Sequence, residues 1–303
     1  MVAGQFDPDP HGALDVGVRK GPWSAQILTD TLDIRWAPEA KWGRAWVASR
    51  TEVGAVGLLI SPWDDGQPRP ERGFAGSTVG GQAGVIAYLP HGFYAGVSGT
   101  AYYAWFSDLP ATEVELPDPT PWLTADGLLG WWSKPVHGWL RAGVDHDRLG
   151  AAVQPHVHGT VTTDAPWRVA PLAEVRAGWA KDQSLLTRTR LGGMNPYVVP
   201  LAGAGWAEFW VERYAALRAG PRVKLETDVG AFEHGVVVDA AVWSEAGADT
   251  ARAWGLGSLN RWSGDRWFVQ ADVGWGAGLV RVAGVSPLAA WLQVGIDWGV
   301  GGR

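Results

Sequence analysis

Residues 93–105 read FYAGVSGTAYYAW, and this stretch decides the fold. Phe93, Val97, Ala101 and other apolar residues occupy every second position, while Gly, Ser, Thr and two Tyr occupy the positions between them. Successive side chains of a strand point to opposite faces, so this pattern predicts a β-strand with one apolar face. Residues 78–89 alternate in the same way, and the intervening Pro90-His91-Gly92 predicts a tight hairpin.

The same two-residue period recurs in about fifteen segments between residues 12 and 299, and their charged residues stay on one face. No segment has a convincing helical period, no linker divides the chain, and no motif repeats at a fixed period. These observations predict an all-β protein with one main domain.

Tryptophan is over-represented, with 21 Trp residues against 7 Phe and 6 Tyr. Trp favours binding surfaces and membrane–water interfaces because it combines a large apolar ring with a polar N–H group. A hydrophobic content of 47% excludes a disordered chain, and a net charge of −6 argues against nucleic-acid binding. The absence of Cys excludes disulfides, thiolate catalysis and Cys-ligated metal sites.

Strand length and aromatic spacing distinguish a membrane barrel from a soluble sandwich. The predicted strands of about 10–15 residues exceed the five or six typical of soluble sheets, and a tilted membrane-spanning strand needs about 9–11. Trp267 and Trp275 bracket an apolar face, as do Phe93 and Tyr103. At about 3.3 Å per residue and a tilt near 40°, these pairs span roughly 20–26 Å, which matches the apolar band and aromatic girdles of outer-membrane barrels.

A transmembrane helix is the other membrane alternative, because residues 74–107 contain no Asp, Glu, Lys or Arg. Pro90, the many Gly and Ser residues and the two-residue period oppose a helix. Strands that cross lipid must close, since each unpaired backbone group costs several kcal/mol there. We therefore predict a transmembrane antiparallel up-and-down β-barrel of about 14 strands, with 12–16 allowed, over residues 11–303. Residues 1–10 are predicted to form an N-terminal periplasmic segment.

Over essentially its whole length the chain resembles a bacterial outer-membrane β-barrel protein. The resemblance rests on long alternating strands, on short turns such as 89–92 at one end, and on longer loops at the other, among them 181–203. Residues 292–298 also resemble the amphipathic final strand of such proteins, although Gly-Val-Gly-Gly-Arg follows instead of a terminal aromatic residue. The resemblance implies the outer membrane of a Gram-negative bacterium, with membrane lipid and small polar solutes as partners. Neither a nucleic-acid partner nor a cofactor is expected.

A shorter resemblance covers residues 188–214, which are similar to the late loop and strand of Omp85-type barrels. Arg190-Leu191-Gly192-Gly193 precedes Tyr197 and the predicted strand 206–214. The Arg-Gly-Phe/Tyr core of that family's loop motif is absent, and Met-Asn-Pro-Tyr stands in its place.

Charged residues on the inward strand faces are predicted to line the lumen. Both signs are present, so these residues either pair across strands or form a charged constriction that selects solutes. The candidates are Arg44, Arg50, Glu52, Arg141, Asp145, Arg168, Glu174, Arg176, Glu208, Glu212, Lys224, Glu226 and Asp228.

His156 and His158 share a strand face, and Asp145 is expected nearby on the preceding strand. Two imidazoles and a carboxylate are a candidate transition-metal set, although an ordinary polar hairpin explains the same residues. An enzyme would need a nucleophile–base pair, but no Ser follows these histidines in the required register. The Asp145-His146-Asp147 triplet only faintly resembles the Asp and His pairs of outer-membrane proteases, so no catalytic residue is predicted.

Loop 181–203 is the most distinctive segment. It carries Arg188 and Arg190, then Gly192-Gly193, then an apolar run with Tyr197 that would be costly to leave in water. We expect the glycine pair to turn the loop into the barrel as a plug, where both arginines would pair with inward carboxylates such as Glu208 and Glu212. A cap over the mouth and a partner-docking site are the alternatives.

The sequence therefore predicts a passive pore or small-solute channel with a charged lumen that loop 181–203 partly closes. A structural or partner-binding outer-membrane barrel, related to the Omp85 proteins, is the first alternative. An outer-membrane hydrolase is the second.

Overall fold

The computed structural model describes residues 2–6, 11–20, 22–28, 31–60, 63–64, 67–68, 70–163, 165, 167–184, 186–193, 199–204, 208–245, 249–264, 267–279 and 287–296. Within these ranges the side chains of residues 2–20, 26–31, 33, 52–70 and 295–296 lie outside the description. Among the described residues, no helix is long and apolar enough to cross a membrane.

Sixteen antiparallel strands form the wall in the described part of the chain, and each pairs with the next in sequence. Strands β1–β8 are Val2–Phe6, His11–Lys20, Trp23–Leu28, Thr31–Trp36, Gly43–Ile60, Phe74–Tyr88, Phe93–Asp108 and Thr120–Ser133. Strands β9–β16 are Val136–His146, Gln154–Thr163, Val169–Ala180, Arg213–Thr227, Gly230–Ser244, Ala251–Ser263, Trp267–Ala277 and Leu288–Ile296.

The sheet closes on itself because β16 pairs with β1 from Val2↔Val294 to Phe6↔Ala290. A two-residue strand, Glu39–Ala40, pairs with β5 beside β4 and brings the sheet to 17 strands. The predicted all-β antiparallel up-and-down barrel is confirmed, and its sixteen wall strands lie at the upper limit of the expected range.

Two predicted segments take part in pairing that the alternation did not indicate. Val2–Phe6, part of the segment predicted to be periplasmic, forms β1, which pairs with both β2 and β16 and thereby removes two open sheet edges. The predicted strand 206–214 is divided: Phe209–Val211 pairs with Thr189–Leu191 in a small separate sheet, and the wall strand β12 begins at Arg213. Local alternation cannot reveal which partner a strand has, so neither pairing could be predicted from it.

The barrel has two different mouths. At one end the strands are joined by short turns, such as those between β8 and β9 and between β12 and β13. At the other end lie the longer connections between β7 and β8 and between β11 and β12. Short turns face the periplasm in outer-membrane barrels, so we call these ends the inner and the outer mouth. Strand β1 starts and strand β16 ends at the inner mouth.

The outward faces carry large apolar side chains that the protein itself leaves exposed, including Val85, Val97, Leu129, Leu140 and Val175. Aromatic residues flank this apolar band on the outside. Trp262 and Trp267 are 40% and 44% exposed near the inner mouth, whereas Trp254 and Trp275 are 46% and 39% exposed near the outer mouth. This distribution is that of a surface solvated by a bilayer with an aromatic girdle at each interface.

Candidate functional site in the barrel lumen

The segment between β11 and β12 folds into the lumen, and we call residues 186–193 and 199–204 the inserted loop. Its Leu191, Val199 and Leu201 are buried in an apolar cluster with Tyr214 of β12 and Trp243 of β13. Both aromatic residues lie on inward faces, since their strand neighbours alternate between buried and exposed. The cluster therefore attaches the inserted loop to the inner wall.

A buried ion pair fixes the tip of the inserted loop. The carboxylate of Asp239 is fully buried and accepts two hydrogen bonds from Arg218, Nε to Oδ1 and Nη2 to Oδ2, both at 2.7 Å. The backbone N–H of Ala202 donates to the same carboxylate at 2.9 Å. Charge-assisted bonds of this kind are about twice as strong as neutral ones, so Asp239 couples the loop to strands β12 and β13.

Glycine allows the loop backbone to reach the wall backbone. A Cβ on Gly203, which has a φ of +79°, would lie 1.9 Å from the Gly276 nitrogen. A Cβ on Gly255 would lie 2.3 Å from the Ala202 carbonyl oxygen. Side chains at these positions would overlap their neighbours, so the close approach depends on glycine.

The start of the segment is held on the opposite side of the outer mouth. Ser184 donates its hydroxyl to Asp147 at 2.5 Å, and its backbone N–H donates to Gln154 Oε1 at 3.0 Å. Leu186 packs against Ala104 of β7, with Trp122 of β8 beside them. The segment thus extends across the outer mouth from β7 and β8 to β12 and the strands that follow.

The structure places the predicted plug residues as follows. Gly192 and Gly193 have positive φ values of +120° and +95°, and Tyr197 lies outside the described residues. The Arg190 guanidinium lies over the Trp210 ring, 5.3 Å from its centroid. Burial raises the pKa of Glu245, and the nearby Arg188 charge opposes that shift. The pairing of both arginines with Glu208 and Glu212 stays a prediction.

Eight of the thirteen predicted lumen residues lie on inward faces of wall strands. They are Arg44, Arg50, Arg141, Asp145, Glu174, Arg176, Lys224 and Glu226. Glu226, near the end of β12, pairs with Lys224 at 3.2 Å.

Four others lie outside the wall strands, because the strands begin and end at other residues than predicted. Arg168 and Asp228 are exposed in turns at the inner mouth. Glu208 and Glu212 precede β12. The side chain of the thirteenth, Glu52, lies outside the description.

His156 bridges two aspartates instead of forming a metal pair with His158. Its Nε2 lies 2.8 Å from Asp126 Oδ1, and its Nδ1 lies 2.8 Å from Asp145 Oδ2. Arg141 also reaches Asp126, at 2.5 Å. Within the described residues, no group of three His, Asp or Glu side chains is arranged to hold a metal ion.

A glycine makes room for this bridge. Gly143 stands between Asp126 and His156 in the strand ladder, and a Cβ there would lie 2.4 Å from Asp126 Oδ1. Asp126 was missed by the sequence analysis although it has the inward phase of its strand. Arg218 and Asp239 were missed for another reason, because they meet only through the register of β12 and β13.

The residues considered for hydrolysis have separate structural partners. His146 Nδ1 lies 2.7 Å from the Ala152 carbonyl oxygen, and Asp147 accepts the backbone N–H groups of Leu149 and Gly150. Asp145 faces His156. The Asp145-His146-Asp147 triplet therefore organises the β9–β10 hairpin.

No protein-family model matches this sequence, and no curated protein matches it significantly. Among solved structures, CdiB from Acinetobacter baumannii aligns with 97% of this chain at a TM-score of 0.59 and 11% identity. CdiB from Escherichia coli aligns with 97% of it at a TM-score of 0.60 and 12% identity. This chain spans 58% and 62% of the two CdiB chains, less than two thirds of either. The likeness shows the fold, which is that of an outer-membrane β-barrel.

Proposed function

We propose that this protein is a pore in the outer membrane of a Gram-negative bacterium, closed at its outer mouth by the inserted loop. In this proposal small polar solutes pass when the loop leaves the lumen. The observation that carries it is the buried hydrogen bond from Ala202 to Asp239, which joins a connecting loop to the inner wall.

The energetics favour a closed resting state. A barrel of sixteen strands encloses more space than its own side chains fill, so a loop inside it occupies a lumen that would otherwise be open. Leu191 and Leu201 are fully buried, and each side chain of this type contributes roughly 1.5–3 kcal/mol when it leaves water. Opening must therefore return these apolar side chains to water, at a cost of several kcal/mol, and break the hydrogen bond between Ala202 and Asp239.

Two observations support a relationship with the Omp85 proteins. The inserted loop is the segment whose sequence resembles the late loop of that family. The fold is also similar to CdiB along nearly the whole chain. A barrel that is permanently sealed and serves as a structural or partner-binding protein is the competing hypothesis, and it predicts the same resting structure.

Conductance in planar bilayers separates the two hypotheses. We expect the full chain to show small or rare current steps, and a variant with residues 188–201 replaced by a Gly/Ser linker to show large, ohmic ones. The matched control is the same replacement of residues 109–118, a largely exposed connection at the same mouth, which should leave conductance unchanged. Silence of the 188–201 variant, with normal folding on a heat-modifiability gel, would favour the sealed barrel.

A further inference from the structure

One side of the lumen presents aromatic rings that are seated on glycines. In each case the ring faces a glycine at the paired position of the neighbouring strand, and a Cβ on that glycine would lie 2.3–2.6 Å from a ring atom. The pairs are Trp46 on Gly84, Tyr102 on Gly80 and Tyr94 on Gly130. Because the glycines leave no side chain beneath them, the rings can lie along the wall with one face toward the lumen.

Two of the three rings lie on an uncharged wall. Strands β6 and β7 contain no Asp, Glu, Lys or Arg between residues 74 and 107, and we call their inward faces, with the rings of Tyr94 and Tyr102, the neutral wall. The third ring, Trp46, lies on β5 with the Arg44 guanidinium over it, 5.9 Å from the ring centroid.

Between its rings the neutral wall offers Gln82, Ser98 and Thr100, and the Thr100 hydroxyl lies 2.7 Å from that of Thr124.

The aromatic surface continues to the inner mouth. Trp132, which is 56% exposed, and His137 are directly paired on β8 and β9, and their rings stack with centroids 4.4 Å apart. Tyr94 and Tyr102 lie eight residues apart on β7, about 26 Å along the strand. The rings are therefore spaced over the length of several sugar units and can be reached from the side opposite the inserted loop.

We propose that the neutral wall is a binding track for uncharged oligosaccharides. Flat aromatic faces pack against the apolar faces of sugar rings, and hydroxyl and amide side chains bind sugar hydroxyl groups. Binding sites of this composition, mostly aromatic with a few polar groups, are typical for small neutral ligands. A purely structural explanation also exists, because an aromatic ring can cover an interior glycine and stabilise the sheet. That explanation predicts an effect on stability alone.

Isothermal titration calorimetry of the full chain in detergent tests the proposal, with maltohexaose and cellohexaose as probes. We expect at least one of them to give saturable heat. Tyr94→Ala and Tyr102→Ala should bind it roughly tenfold more weakly, the loss expected for one aromatic contact. Tyr102→Phe keeps the ring and should retain most of the affinity.

Tyr103→Ala is the matched control, because Tyr103 is the next residue on β7 but faces outward and is 49% exposed. It should bind the hexasaccharide as the unmodified chain does. An equal loss in Tyr103→Ala, or no saturable heat with either sugar, would overturn the proposal. Binding of an uncharged Gly/Ser peptide that depends on Tyr102 in place of the sugars would also overturn it and point to a polypeptide ligand.

Discussion

Glycine has different roles on the neutral wall and on the opposite wall, which strands β12–β15 form. On the neutral wall a glycine such as Gly84 receives the aromatic ring of the next strand. On the opposite wall Gly255 and Gly276 receive the backbone of the inserted loop, beside the buried Arg218–Asp239 pair. At these positions the missing side chain makes room for a close approach, by an aromatic ring on one wall and by the loop backbone on the other. Gly143, which accommodates a carboxylate, is a third case.

The largest effect should come from Asp239→Ala on the loop-binding wall. It leaves the Arg218 guanidinium buried without its partner and removes the acceptor of the Ala202 N–H group. We expect the free energy of unfolding to fall by about 3–5 kcal/mol, measured by urea titration into lipid vesicles, and channel conductance to rise.

A double variant, Arg218→Met with Asp239→Leu, makes this prediction specific. Replacing both ions by apolar groups should restore most of the stability but not the bond to the loop, so conductance should stay high. If the single and double variants were equally unstable, the loss of the Asp239 charge as partner of Arg218 would not explain the lower free energy of unfolding.

The two faces of the neutral wall can be compared at adjacent positions. Val97 is 61% exposed on the outward face, and Val97→Arg should cost about 2–4 kcal/mol near the bilayer midplane. Ser98→Arg points into the lumen and should be tolerated. Equal losses in vesicle unfolding experiments would mean that the faces are wrongly assigned.

Gly203→Ala tests the contact between the inserted loop and the wall. Its Cβ would meet the Gly276 nitrogen at 1.9 Å and would require an unfavourable positive φ, so we expect a loss of about 1–3 kcal/mol and a higher open probability. Gly235→Ala is the control, since its Cβ would meet nothing closer than 3.6 Å. If Gly235→Ala lost as much stability as Gly203→Ala, the close approach of the inserted loop to the wall would not explain the effect.

The smallest effect should be that of Thr100→Val on the neutral wall. It removes the hydroxyl pair with Thr124, and a single exchanged hydrogen bond is worth about 0.5–1.5 kcal/mol. A loss several times larger in the unfolding titration would show that this wall depends on a polar network and not on seated rings.

The sequence predicts the features that depend on local alternation. The inward positions of Arg44, Asp145 and Glu174 follow from the two-residue period alone, and so do the exposed positions of Val85 and Val97. The pair Arg218 and Asp239 could not be found in this way, since the two residues are 21 positions apart and meet only because β12 and β13 have a particular register. Strand β1 was missed because five residues carry too little alternation to be recognised.

The inserted loop is covalently joined to two neighbouring strands, β11 and β12. Its return to the lumen is therefore an intramolecular event governed by an effective concentration, on the order of millimolar for a short flexible tether. Under the proposed function, any molecule that opens the pore must compete with that concentration, whatever the number of copies in the membrane. Each barrel would then close independently of its neighbours, and the open fraction would depend on the concentration of the opening molecule and not on the density of barrels.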